Sequence, residues 1–150
     1  MKRIGVVVSA AVIVVVMIGA LGGCAPTLGQ AFQKVQTLPD QGAVVYIYRP
    51  STFVGGGVSY DVRANGVVVT TLYNGGYYPY IAKPGEIEFS AKTESTSSVT
   101  LDVKAGGVYY LRGTVGVGFI VGRPHLEAVP PEVAEKEILE TKLIPALPHP

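Results

Sequence analysis

Few residues in this 150-residue chain are of types that do covalent or acid–base chemistry. There is one cysteine, Cys24, and there are two histidines, His125 and His149. A zinc site takes three or four ligands and usually more than one His or Cys. His125 would have to recruit carboxylates such as Glu127, so an ordinary strand histidine is the expectation, with no metal and no cofactor. Serines and threonines are plentiful, but no Gly-x-Ser-x-Gly elbow is present. A Ser-His-Asp set would need His125, Asp61 or Asp102, and a loop serine to meet in space, and nothing in the spacing favours that. Glu86 and Glu88 share one strand face by the period of two, and a glycosidase needs such a carboxylate pair, set in a cleft. They stand beside Ser90 and Lys92, so that face is expected to be wet. Gly55-Gly56-Gly57 and the glycine-broken stretch 113–122 lack the Lys-Ser/Thr of a phosphate loop and read as bends and turns. No catalytic constellation emerges.

The residues with most to offer a partner are aromatic or guanidinium. Tyr77, Tyr78 and Tyr80 fall on an expected edge strand, Tyr110 and Arg112 on one face of another, and Arg123 after a glycine-rich bend. Tyr and Arg anchor many protein interfaces, an edge strand can accept a partner's strand, and Tyr rings can stack on sugars. The competing expectation is that these rings cap the core with their hydroxyls in water.

Cys24 has a distinctive setting. Lys2-Arg3 forms a short positive start, residues 4–22 carry no charge, and Leu21-Gly22-Gly23 puts small residues just before the cysteine. That is the anatomy of an export signal with a cleavage site, and it resembles the bacterial lipobox. The resemblance implies removal of residues 1–23 and a thioether-linked diacylglycerol on Cys24, often with an acyl group on the new amino terminus. One acyl chain holds a protein only marginally, and two or more hold it stably. The run is also long enough to span a bilayer; the Leu-Gly-Gly-Cys pattern is what separates the two readings. Ala25 stands where an Asp commonly marks inner-membrane retention, which implies the outer membrane, facing the periplasm, in a two-membrane host.

The formal net charge is +1, and loss of Lys2 and Arg3 would leave −1. A nucleic-acid binder needs a basic face, so that class is not expected. With a single cysteine no internal disulfide can form, and the core alone must hold the exported domain.

The elements are read from alternation and turn chemistry. Residues 25–41 lack a clean period and read as a tether. Residues 43–49 form a continuous apolar strand, suited to burial on both faces. Residues 58–64 alternate, Asn65-Gly66 supplies a type I′ turn, and 67–72 returns. Strands follow at 77–82 (an edge or bulged strand, given Pro79), 86–92, 98–103, 108–115 and 125–129. Pro130-Pro131 opens the one expected helix, 132–142, with Val133, Ile138 and Leu139 on its apolar side. The tail from 143 should be loose. Seven or eight short strands with a terminal helix predict an all-β fold, an antiparallel β-sandwich over residues 42–142, with a small barrel as the alternative.

As a set, Val45-Tyr46-Ile47-Tyr48-Arg49-Pro50, Ser59-Tyr60-Asp61-Val62, Asn65-Gly66, Asn74-Gly75-Gly76-Tyr77, Pro84-Gly85, Ser90-Ala91-Lys92-Thr93-Glu94, Tyr109-Tyr110-Leu111-Arg112-Gly113 and Val121-Gly122-Arg123-Pro124 resemble the bacterial lipoprotein family called domain of unknown function 2846. The resemblance covers about residues 42–140. It implies an envelope lipoprotein with a β-sandwich domain and carries no activity. The expected function is therefore a non-enzymatic, membrane-anchored module that contacts an envelope protein. A glycan or small-ligand binder is the alternative, and an envelope hydrolase a weaker one.

Overall fold

The strand at Ala43–Tyr48 (β1) is buried along its whole length, and the rest of the architecture follows from the need to cover both its faces. The computed structural model describes residues 27–147. Leu21, Gly22, Gly23, Cys24 and His149 lie outside them. After β1 come Tyr60–Ala64 (β2), Val67–Leu72 (β3), Gly76–Ala82 (β4), Gly85–Lys92 (β5), Thr96–Val103 (β6), Val108–Gly116 (β7) and Arg123–Ala128 (β8). A short helix, Pro131–Glu137 (α1), runs into a 3-10 turn, Ile138–Glu140, and a two-residue strand, Lys142–Leu143 (β9).

The strands form two sheets, ordered β8-β7-β1-β4-β9 and β3-β2-β5-β6. This is the expected β-sandwich, and the sheets do not close into a barrel. The β2–β3 hairpin turns at Asn65 (φ 47°) and Gly66 (φ 83°), both in the left-handed region that a type I′ turn requires. Tyr60, Val62 and Ala64 point inward while Asp61 and Arg63 face water, as the alternation predicts. Between the sheets lie Val45, Ile47, Val62, Leu72, Phe89, Val103, Leu111 and Leu126. At Gly113 a side chain is impossible without movement: an added Cβ would lie 2.3 Å from Leu72 Cδ2 and 2.5 Å from Tyr60 Oη.

Two pairings are parallel, β1 with β7 and β4 with β9, so the five-stranded sheet is mixed. The parallel β1–β7 pair arises because the chain crosses to the other sheet between them and returns at the end where β1 begins.

The outer face of β1 carries Val44, Tyr46 and Tyr48 and has its own cover. Three expectations are corrected in the flanking segments. Of the expected tether at 25–41, the described part from 27 is not free but strapped over the sheet. Gly29 N–H donates to Leu143 O (2.7 Å), Leu143 N–H to Gln30 O (2.8 Å), and Phe32, Val35 and Leu38 pack on the tyrosines. The helix ends earlier than 142. Ala134 and Ile138 are buried, whereas Val133 and Leu139 stay exposed. Lys142 and Leu143 leave it to pair with Gly76 and Tyr77. The tail is correspondingly shorter, since Ile144 is buried in the core between the sheets. The strap and the short helix share one cause: the outer tyrosine face must be covered, and the segments flanking the sandwich supply the cover.

Candidate interaction surface

The period of two along β4 splits the tyrosine set. Tyr77 points outward beneath the strap, while Tyr78 and Tyr80 point inward, half-buried at the rim of the core. Tyr80 meets Phe89 of the opposite sheet edge-on, with centroids 5.8 Å apart. On the outer face, Tyr77, Tyr110 and Arg112 are brought together with Tyr46 and Tyr48. Phe32 lies edge-on to Tyr46 (5.2 Å) and Tyr77 (5.0 Å), and Tyr46 stacks on Tyr110 (5.5 Å).

The hydroxyls there bind the cover. Tyr46 Oη accepts from Val35 N–H (2.7 Å) and Tyr77 Oη from Gln33 N–H (3.2 Å). Tyr48 donates to Glu137 (2.6 Å) and Tyr110 to Glu135 (3.1 Å), which also receives Lys34 Nζ (2.7 Å). Arg112 holds Glu127 through Nε (3.0 Å) and Nη2 (2.8 Å), and Glu137 through Nη1 (2.5 Å). Burial, then the hydrogen bond to Glu135, pushes the Tyr110 phenol up to about 12. Burial and Glu137 raise that of Tyr48 still further. Both remain neutral donors near pH 7. Tyr77, Tyr110 and Arg112 are therefore not a free surface: they fasten the strap and α1 to the sheet.

Three of the acid–base candidates are engaged elsewhere. Glu127, the carboxylate a metal at His125 would need, is held by Arg112. Asp61 accepts from Thr71 (2.7 Å) and Asp102 pairs with Lys104 (2.6 Å). His125 is exposed on β8, and Glu86 and Glu88 are exposed on β5.

Arg123 leads to a feature that strand periodicity passed over. It begins β8 at the end of the sandwich where β1 and β7 finish, and its guanidinium lies 5.9 Å from the Phe119 ring centroid. Phe119 and Ile120 are each 91% exposed, and Phe53, in the neighbouring loop, is 101% exposed. Val54 and Val117 are exposed beside them. Both loops are clamped. The Glu94 carboxylate accepts the backbone N–H groups of Phe119 (2.8 Å), Ile120, Val121 and Gly122 (3.3 Å). These amides, Val121 foremost, pull its pKa down to about 2. The other loop is held from beneath by Arg49, 1% exposed, whose Nη1 and Nη2 donate to Val58 O (2.6 Å) and Gly55 O (2.7 Å). Burial lowers the Arg49 pKa, and the Tyr60 ring, 5.9 Å from Cζ, faces the cation. Asn74 pins the same loop by exchanging two 2.9 Å bonds with the backbone of Thr52. The sequence signal was available: large apolar residues between glycines and a proline, where no strand can bury them.

The opposite end is different in character. β9 covers only Gly76 and Tyr77 of the outer edge of β4. From Tyr78 to Ala82 that edge has no strand partner among the described residues. Beside it is a cleft of about 400 Å³ lined by Pro39, Asp40, Ile81, Lys83 and Pro84.

These features define a class: a two-sheet β-sandwich with a doubly buried central strand, a strapped outer face and two unlike ends. The sequence then supplies the family. The profile of DUF2846, described as a protein of unknown function, matches residues 39–122, over half of the chain, and the chain belongs to that family. No curated protein and no solved structure matches it.

Proposed function

We propose that this chain is a lipid-anchored bacterial envelope protein whose non-catalytic sandwich works by contact with another envelope component. The observation that carries this reading is Cys24 directly after Leu21-Gly22-Gly23, at the end of an uncharged run behind Lys2-Arg3. Among the described residues no helix is long and apolar enough to cross a bilayer. The placement of Asp61, Asp102, Glu127, Tyr48 and Tyr110 in structural bonds supports a non-catalytic role. Ala25 after the cysteine supports the outer membrane, facing the periplasm.

The partner surface we assign is the open edge of β4 with the adjoining cleft, where Ile81 is exposed and Tyr78 and Tyr80 are half-buried. Backbone groups on such an edge can pair with a strand of a protein partner. A cell-wall glycan stacked on Tyr78 and Tyr80 is the second reading.

The test has two parts. Intact mass of the membrane-purified protein should show a chain starting at Cys24 with added lipid, and Cys24→Ala should accumulate uncut precursor without fatty-acid label. A photo-crosslinker at Ile81 should then capture one reproducible envelope protein in cells. Retention of residues 1–23 in the purified protein overturns the anchor. Capture of cell-wall glycan at Ile81 replaces the protein partner by the second reading.

A further inference from the structure

The open edge of β4 has a ladder already begun on it. Arg49 N–H, just past β1, donates to Gly76 O (2.9 Å). By the period of two in the antiparallel β1–β4 pair, the backbone groups of Gly76, Tyr78, Tyr80 and Ala82 point to β1. Those of Tyr77, Pro79 and Ile81 point to the open side. Pro79 thus stands where β1 does not need its missing N–H. Beyond β9, the edge offers Pro79 O, Ile81 N–H and Ile81 O.

β9 runs parallel to β4, with Lys142 beside Gly76 and Leu143 beside Tyr77. Lys142 N–H donates to Gly75 O (2.9 Å) and Ile144 N–H to Tyr77 O (2.8 Å). The next rung would carry a proton from residue 79 to Ile144 O, and a proline has none to give. The ladder stops there. Two further bonds lie in the same register: Ala146 N–H to Pro79 O, and Ile81 N–H to Ala146 O. Neither is formed in the structure, and Pro145, Ala146 and Leu147 stand exposed.

The tail nevertheless fits the edge past the gap. The register sets Pro145 beside Pro79, Ala146 beside Tyr80 and Leu147 beside Ile81. Pro145 has the phase of Leu143, whose N–H and O both bond the strap, so β4 does not call on its N–H. Ala146 has the phase of Ile144, which is buried between the sheets, and it brings only a methyl group to the rim at Tyr80. Leu147 falls on the outer face with Ile81. Both are exposed, and each would cover the other. Pro148 has no N–H for Ile81 O, so the match ends with Leu147.

We infer that the C-terminal tail is a gate on the β4 edge: residues 145–147 extend β9 over Pro79 and Ile81, and a partner strand binds by displacing them. This rests on the partner surface proposed above and names its regulation. Closure gains two hydrogen bonds and one apolar pair and orders three residues, effects of similar size and opposite sign. The edge is therefore open part of the time, and a strand that binds only the open form shifts the balance. Until then the tail shields backbone groups that would pair with any exposed strand.

Three forms of the lipidated protein test this: the full chain, Ala146→Pro, and a chain ending at Ile144. Ala146→Pro removes the single N–H that reaches Pro79 O and leaves the rest of the tail in place. Hydrogen exchange at the Ile81 amide, read by NMR on protein in detergent micelles, needs no partner. It should be at least about twofold faster in both altered forms than in the full chain, with the amides of β1 unchanged as proof of an intact sheet. The yield captured in cells by a photo-crosslinker at Ile81 should rise in both. Equal Ile81 exchange in all three forms overturns the gate and leaves the edge free for a partner. Faster exchange with unchanged capture overturns it too, because the partner then binds without displacing the tail. Faster exchange with no protein captured by any form sustains the closed edge and sinks the reading of a protein partner.

Discussion

A carboxylate that receives four amide protons leaves a measurable trace. The Glu94 pKa is drawn from an ordinary 4.5 down to about 2 by the amides of Val121, Phe119, Ile120 and Gly122. Its folded value lies below its unfolded one, so its contribution is fully present above pH 4.5 and is lost as pH falls through about 2. The amide chemical shifts of Phe119–Gly122 should accordingly titrate with a midpoint near 2. Glu94→Ala should abolish that titration and lower the loop's order parameters while leaving the sandwich spectrum in place. A midpoint near 4.5 would remove the clamp from the solution structure. Nothing in the sequence announces this bond, because a carboxylate reaching amides some two dozen positions away obeys no spacing rule. The turn at Asn65-Gly66 was legible because its chemistry is local. The tyrosines were legible as residues but not as a surface: Tyr77 and Tyr78 sit on opposite faces, and what covers an outer face is decided by distant segments.

Among the elements, the strap carries more of the architecture than its composition advertises. It has no period because it meets the sheet extended, fastened by Phe32, Val35 and Leu38 and by hydrogen bonds to Tyr46 and Tyr77. Phe32→Ala removes a ring from between two others and should cost about 2–3 kcal/mol, near the lower end for partly buried aromatic truncations. Tyr46→Phe, which leaves Val35 N–H without its acceptor, should cost about 1 kcal/mol. Denaturant unfolding of the full protein measures both. Because Lys34 pairs with Glu135, hydrogen exchange in α1 should quicken in the Phe32 variant as well. Unchanged stability in Phe32→Ala would mean that the strap does not dock. The strands themselves were mostly readable, since alternation and turn residues are local signals. The early end of the helix was not, for the free edge of β4 competes for Lys142 and Leu143, and that edge exists only in the assembled sheet.

At the scale of the molecule, the two ends differ in their loops: Phe53, Phe119 and Ile120 stand exposed at one, and Asp40, Lys83 and Lys104 stand in the connections of the other. The sequence held the charges of both ends, yet which loops share an end follows from strand direction, and the parallel partnership of β1 with β7 cannot be read from periodicity. That partnership also governs when the fold can form. The central strand waits for a neighbour more than sixty positions downstream, and Ala31 bridges to Lys142 near the other limit of the described chain. Pairings this remote in sequence slow folding. The polypeptide therefore stays open until Lys142 is available, and a chain cut short before it would leave the outer edge of β4 and the strap without their shared partner.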